Sequence, residues 1–579
     1  MPYRACLRLS TLCCALLGAG AALAARSDVT LVVADELRPL LDKHLSVLQG
    51  EDEAGLDEVG RIALLRRARK EIGDLLATEG YFSPAVTGEA VTGGNFRILV
   101  TPGPRTLVNQ VDLRFRGALA DPDAERIQRV AALRAAWSLP AGAPFRQADW
   151  DAAKQRLLDA VSVRDFAAAT ITTSHARIDP EAATAALTVE VDSGPPFVFG
   201  ALQVSGLQDY AEDLVRRFNP PAPGEAYSLD RLLRFQSALQ NTAYFASVIV
   251  DVDRQSDAPG AVPVRVQLTE AKPKRLGFGA GVSSNTGYRV ETSYRDANVF
   301  DRALSLVSGV RVEERRQLGY ADVFLPPSSD GHLDSVGALA EHTNIAGLQT
   351  QRQSIGVVRA MPRGNIETRV AFNYQHEILS PEGSLRSSRD ALTANWSWTR
   401  RKVDNLLDPR NGHVLNVQVG GATQALLSDR NFARLYGRFQ GFVPVARRDV
   451  LILRGEGGIT VANSRDGVPQ DFLFRTGGAQ SVRGYAYQSL GVKDGSATVG
   501  GRYLAVLSSE YVHWYEGDWG VAAFFDAGNA NDERQLFKMN YGYGLGPRWK
   551  SPAGPIALDL AYGQSDHRVR LHFAVAIAF

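Results

Sequence analysis

The sequence predicts three tandem α+β domains of β-α-α-β-β plan followed by a sixteen-stranded antiparallel transmembrane β-barrel. Three observations carry that expectation. Up to about residue 273, helical and strand patterns mix, and one ordered set of residues recurs at a fixed spacing. From about residue 274, almost every segment reads as a strand of roughly ten residues ended by a turn, the signature of transmembrane barrels. Beyond residue 25 no apolar run reaches the roughly 18 residues that a spanning helix needs. A closed barrel is the other structure that crosses a bilayer with its backbone satisfied.

Residues 1–25 read as a secretory signal: basic Arg4 and Arg8, then the apolar Leu12–Ala25 stretch ending in Ala22-Leu23-Ala24. The alternative, an uncleaved anchor helix, is disfavoured by the shortness of the stretch. Cys6, Cys13 and Cys14 all fall there, so the exported chain holds no thiol and forms no disulfide. Lys and Arg total 64 against 63 Asp and Glu, a net charge of +1, which offers no basic surface to nucleic acid.

The repeat is clearest in its second and third copies. Gly142-Ala143-Pro144-Phe145, Asp149 and the helical Trp150–Val161 match Gly224-Glu225-Ala226-Tyr227, Asp230 and Arg231–Asn241. Each copy then reaches an aromatic residue (Phe166; Tyr244-Phe245) and two strands, Ala169–Ser174 with Ala186–Val191, and Val248–Val252 with Val264–Leu268. Leading strands at Leu107–Arg116 and Phe197–Val204 complete the unit. A weaker first copy runs through Leu64–Leu76, Glu79-Gly80-Tyr81-Phe82 and Phe96–Val100. The three domains are expected at 28–105, 106–195 and 196–273.

The barrel is expected over 274–579. Eleven strands fall at about 275–284, 287–295, 303–312, 316–325, 332–342, 351–361, 365–376, 388–399, 412–422, 431–442 and 448–461. Five more fall at 501–513, 518–527, 541–549, 555–563 and 569–579, an even total as bacterial barrels require. Alternation marks their faces. Leu304, Leu306, Val310 and Val312 oppose Ser305 and Arg311. In the last strand Val569, Leu571, Phe573, Val575, Ile577 and Phe579 are apolar, between Arg570, His572, Ala574, Ala576 and Ala578. Successive side chains of a strand point to opposite faces, and a bare apolar face is safe where lipid is the solvent.

The residues between the eleventh and twelfth strands, 462–500, are too many for an ordinary turn. They include Val482-Arg483-Gly484-Tyr485, which presents a cation at a glycine-permitted bend. In Phe524-Phe525-Asp526-Ala527-Gly528, parity puts Val521, Ala523, Phe525 and Ala527 on one face and Asp526 on the other, towards the lumen. If the loop folds inward, Arg483 can pair bidentately with Asp526; a solvated pore aspartate is the plainer reading of that residue. Nothing in the pattern of histidines, glycines or serines suggests catalysis, a metal or a cofactor.

Signal, tandem domains, terminal barrel and Val482–Tyr485 together resemble the BamA/TamA superfamily of outer-membrane assembly proteins, whose tandem domains are POTRA domains. Three repeats before the barrel look most like its TamA members, the outer-membrane subunits of translocation and assembly modules. BamA carries more such domains and two-partner secretion transporters fewer. Phe525-Asp526-Ala527-Gly528-Asn529 is similar to the family's barrel motif, whose aspartate receives the loop arginine. Gly542-Tyr543-Gly544-Leu545-Gly546 resembles the next glycine-rich strand, although Gly546-Pro547-Arg548 departs from the usual Gly-Leu-Arg.

The resemblance implies a bacterial outer-membrane protein with its POTRA domains in the periplasm, in contact with outer-membrane lipid. Its implied clients are unfolded outer-membrane proteins or autotransporters, and its implied partner is a TamB-like periplasm-spanning protein. It further implies a lateral seam between the first and last strands. Gly277, Gly279 and Gly281 would weaken the first strand, and Val569, Leu571, Phe573, Val575, Ile577 and Phe579 would form the other lip, with Gly279 near Ala576. POTRA strands such as Val248–Val252 or Phe96–Val100 are candidate edges for chain binding. A two-partner secretion transporter dedicated to one exoprotein and a passive pore with periplasmic domains remain as alternatives.

Overall fold

Why a repeated Gly-x-x-aromatic segment should recur is answered by the backbone. In the computed structural model, which describes residues 29–49, 58–91, 95–328, 330–551 and 554–578, Gly142 N–H donates to Val108 O (2.7 Å) and Phe145 N–H to Thr106 O (2.9 Å). In the next domain Gly224 N–H donates to Phe199 O (2.8 Å) and Tyr227 N–H to Phe197 O (3.0 Å). The segment thus zips onto the leading strand of its own domain. Its glycine sits at φ 87° in both copies, a region that costs other residues strain. The expected signal segment and its three cysteines, and Phe579, lie outside the described residues.

Three small domains precede the barrel. The first has strands Val29–Val32, Ala85–Val91 and Asn95–Thr101 around helices Arg38–His44, Ser46–Gln49 and Glu58–Thr78. The second has strands Leu107–Arg116, Thr170–Asp179 and Thr184–Asp192 with helices Ala124–Ala135 and Gln147–Ser162. The third has strands Phe199–Ser205, Phe245–Val252 and Val262–Glu270 with helices Glu212–Arg216 and Leu229–Gln240. Every sheet has the order first–third–second. The central strand is therefore buried on both edges and reads apolar at alternate positions: Ala185, Leu187, Val189 and Val191 in the second domain, and Val262, Val264, Val266 and Leu268 in the third. Trp150, Ala153, Leu157 and Val161 recur at helical spacing and bury the opposing face.

This order corrects one candidate edge. Phe96–Leu99 pair with Val29–Val32 on one side and with Thr87–Ala90 on the other, so the Phe96–Val100 strand is central and its backbone is spent. Val248–Val252 lies in an outer strand.

The barrel strands are β1 (Lys274–Ser283), β2 (Gly287–Val299), β3 (Leu304–Glu313), β4 (Arg316–Phe324), β5 (Leu333–Ile345), β6 (Leu348–Arg363), β7 (Ile366–Pro381) and β8 (Ser387–Val403). They continue with β9 (Gly412–Ala422), β10 (Phe432–Pro444), β11 (Asp449–Val461), β12 (Tyr503–Trp514), β13 (Trp519–Asn531), β14 (Asn540–Ser551), β15 (Gly554–Gly563) and β16 (Arg568–Ala578). Each is hydrogen-bonded to its neighbours in sequence, and β16 closes on β1. The count is the sixteen that the sequence predicts.

Alternation sorts the wall as lipid requires. Leu507, Tyr511, Phe525, Tyr543, Leu545, Leu560, Val569 and Leu571 are exposed outward, while Ser508, Glu510, Asp526, Arg548, Asp559 and His572 between them are buried inward. Replacing Leu507, 60% exposed at mid-strand, by arginine is expected to destabilise the barrel by about 2–4 kcal/mol. Leu385→Arg, in a turn and 92% exposed, should be near neutral. Denaturant unfolding of both variants in lipid vesicles checks the difference.

Candidate functional site

The chain between β11 and β12 reaches both walls of the barrel. On one side, a short hairpin (Val492–Asp494 with Ala497–Val499) packs Ala497 and Val499 against Leu348 and Leu379. Gln470 N–H donates to Glu377 on β7 at 2.9 Å. On the other side lies the Val482–Tyr485 turn. Val482 and Tyr485 are fully buried with Phe474, Leu504, Val506 and Ala530.

Arg483 is 2% exposed and Asp526 0%. Three donors of one residue converge on that carboxylate: Arg483 Nε and backbone N–H on Oδ2 (2.7 and 3.1 Å) and Nη2 on Oδ1 (3.0 Å). Arg483 Nη1 donates to Glu510 Oε2 (2.9 Å) and to Asp559 Oδ2 (3.1 Å). The guanidinium carbon sits 3.4 Å from the Phe524 ring centroid, a cation–π contact. Arg548 donates to Glu510 Oε1 (2.7 Å) and Asp559 Oδ1 (2.6 Å), and Arg454 to Glu510 Oε2 (3.1 Å). Three arginines thus face three carboxylates, and the cluster is neutral. Neutrality and saturation of the carboxylate oxygens are what let these charges sit out of water.

The register explains how one loop residue reaches so many strands. Ser508, Asp526, Gly542 and Gly563 are consecutive cross-strand partners across β12 to β15. The two glycines leave the wall bare where the turn lands. A Cβ on Gly542 would lie 1.8 Å from Arg483 O, inside the backbone itself. Gly484 adopts φ 92°, and its own Cβ would meet Gly563 N at 2.6 Å. The departure at Pro547 is also visible. The β14–β15 ladder runs to Leu545↔Leu560 and resumes at Arg548↔Ala557, as expected where a proline has no N–H to give. Arg548 still reaches the cluster.

Sequence reasoning named Val482, Arg483, Gly484, Tyr485 and Asp526, and the structure brings them together. It did not assign Arg454, Glu510, Phe524, Arg548, Asp559 or His572 to this site. For all but Phe524 the signal is a charged or polar residue at inward parity on neighbouring strands.

The seam differs in extent from the expected one. Gly279–Ser283 pair with Ala578–Ala574, five partner pairs against ten between β1 and β2. Ser284 N–H adds a bond to Phe573 O (3.0 Å), and Phe573 N–H one to Ser284 Oγ (3.1 Å). Gly279, Gly281, Phe573, Val575 and Ile577 are therefore at the seam. Gly277 lies below it, and Val569 and Leu571 partner Tyr562 and Leu560 of β15 instead. The cause is stagger. β1 ends at Ser283 while β16 begins beyond it, as the shear of a barrel demands. The partner of Ala576 is Gly281, not Gly279.

Removing Arg483 leaves buried carboxylates short of a cation, and removing Asp526 leaves the cation short of its bidentate partner. Arg483→Ala and Asp526→Ala are each expected to cost about 3–5 kcal/mol. The double variant should cost little more than either alone, with Arg483→Lys failing to rescue because a point charge lacks the fork. Urea unfolding of the parent and the four variants measures the coupling.

Comparison with known proteins agrees with this fold. Residues 272–579 match the model of the Omp85 superfamily domain. The outer membrane protein assembly factor BamA of Nitratidesulfovibrio vulgaris is 26% identical over 385 residues, 62% of this chain and 47% of that protein. The chain therefore spans about half the length of this curated relative. The crystal structure of BamA from Haemophilus ducreyi lacking POTRA domains 1–3 is similar with a TM-score of 0.69 at 16% identity, covering 82% of this chain and 100% of that one. The chain belongs to the Omp85 superfamily, as an outer-membrane β-barrel with POTRA domains in the periplasm.

Proposed function

We propose that this protein is an outer-membrane assembly and translocation factor of the TamA type. It helps to insert or secrete β-rich clients such as autotransporters through the seam between β1 and β16. Its partner on the POTRA side is a TamB-like periplasm-spanning protein. The observation that carries the reading is the short seam. Among the described residues, five partner pairs join β1 to β16, half the ten that join β1 to β2. An unpaired N–H or C=O in lipid costs several kcal/mol, so an incoming strand gains most where an edge already waits. Adding the client strand there by β-augmentation satisfies both chains without an energy source. Gly279 and Gly281 supply no inward side chain to the seam, so little packing is lost when it opens. The loop that reaches both walls argues against a passive open pore.

A disulfide between Gly281→Cys and Ala576→Cys, register partners, is expected to stop client insertion into vesicles, and reduction to restore it. Insertion at full rate by the completely cross-linked protein sinks the reading. Deletion of the gene should lower autotransporters at the cell surface, and a neighbouring gene for a very large β-rich periplasmic protein is expected.

A further inference from the structure

We propose that Arg570 and His572 are positioning residues that clamp the last strand to the tip of the inward loop. β16 then leaves β1 only after the loop has left its seat. The inference rests on the seam reading above and concerns what controls it.

Four observations combine. First, the part of β16 without a partner on β1 is the part the loop holds. Arg568–His572 pair with β15 alone among the described residues, and the inward side chains of Arg570 and His572 meet one loop residue. Arg570 Nε donates to Gly484 O at 3.0 Å, and Gly484 N–H donates to His572 Nε2 at 2.9 Å. Second, the next loop residue anchors the turn that feeds β16. Tyr485 hydroxyl accepts from Ser565 N–H (3.0 Å) and donates to Tyr541 O (3.0 Å). Third, the same loop touches the other lip. Ala479 N–H lies 3.4 Å from Asn285 Oδ1 in the β1–β2 turn. The clamp therefore spans both sides of the seam. Fourth, His572 is chosen for its nitrogen. It is 4% exposed, and with Nε2 accepting, the neutral ring carries its proton on Nδ1, which has no partner among the described residues. A ring kept only to fill space has no use for a buried polar atom left unpaired, since that atom costs stability.

The clamp also ties the seam to the ion cluster. Asp559, the register partner of His572, accepts from Arg483 Nη1. Displacing Arg483 with its turn therefore removes the loop's contacts to β15 and to β16 together. A client or partner that draws the loop from its seat loosens the seam at a distance from it.

Hydrogen exchange of the full-length protein in outer-membrane lipid vesicles, with no client present, tests this. His572→Phe with Arg570→Ala is expected to speed exchange about tenfold in peptides covering 274–284 and 568–578, while 348–381 stays slow. His572→Gln with Arg570→Lys, which keeps an acceptor and a donor, should exchange like the parent. Unchanged seam exchange in the first pair, equal acceleration around the whole barrel, or equal acceleration in the second pair overturns the clamp. Should the first pair not fold, His572→Phe alone is measured against His572→Gln by the same criteria. A failed clamp with insertion still blocked by the 281–576 disulfide leaves the seam reading standing; a working clamp with unblocked insertion removes that reading instead.

Discussion

A guanidinium taken out of water must be surrounded by acceptors, and that demand on Arg483 organises the barrel half from β11 to β16. The cost of burying one cation exceeds what a single carboxylate returns unless the remaining donors are also used. Here Asp526 takes the fork, Glu510 and Asp559 take Nη1, and Phe524 covers the face of the guanidinium. Arg548 and Arg454 then keep Glu510 and Asp559 from being left as excess negative charge. Every further feature nearby follows. The turn must approach the wall closely enough for a side chain to reach three strands, so β14 and β15 carry Gly542 and Gly563 at the landing point. Gly484 must take a conformation that a side chain would oppose. A charge cluster of this kind adds little net stability compared with apolar packing, but it discriminates sharply between a seated and a displaced loop.

The second constraint is hydrogen bonding in lipid. A barrel satisfies its backbone by closing, and it closes with stagger. Sixteen strands of unequal length cannot all overlap fully with both neighbours. The shortfall falls at β1 and β16, where a ten-residue strand meets a strand displaced along the axis. The weak seam is therefore a consequence of ladder geometry, placed where no turn links the two strands. Glycines at inward positions of β1 reduce side-chain packing there.

Much of this was legible in the sequence because a transmembrane wall is written at period two. Phe525 and Asp526 are adjacent, and parity alone sends one to lipid and the other to the lumen. Gly142 and Gly224, eighty-two residues apart, disclose the repeat because each makes the same two-bond zipper. Other features depend on quantities that no single segment contains. Parity marks Glu510, Arg548, Asp559 and His572 as inward, but every strand has inward residues. Which of them share a height with Arg483 is fixed by the stagger between strands. The same ignorance of stagger put Gly277, Val569 and Leu571 at the seam and matched Gly279 with Ala576. In the first POTRA domain, Phe96–Val100 reads as an edge until the order first–third–second places it between two strands.

On the proposed reading, these two constraints answer different needs. Transfer of a strand from β16 to a client exchanges backbone bonds for backbone bonds, so its net driving force is small and either direction is open. Such an exchange needs a condition for when it starts, more than it needs a source of energy. A polar seat supplies one, because hydrogen-bonded charge pairs have a narrow range of workable geometry, whereas apolar contacts tolerate sliding. Arg483 holds Asp559 on β15, whose register partner on β16, His572, accepts from Gly484 in the half of β16 that has no partner on β1. The seam can then be weak enough to open in lipid and yet remain shut while the loop is seated, since the two properties reside in different bonds.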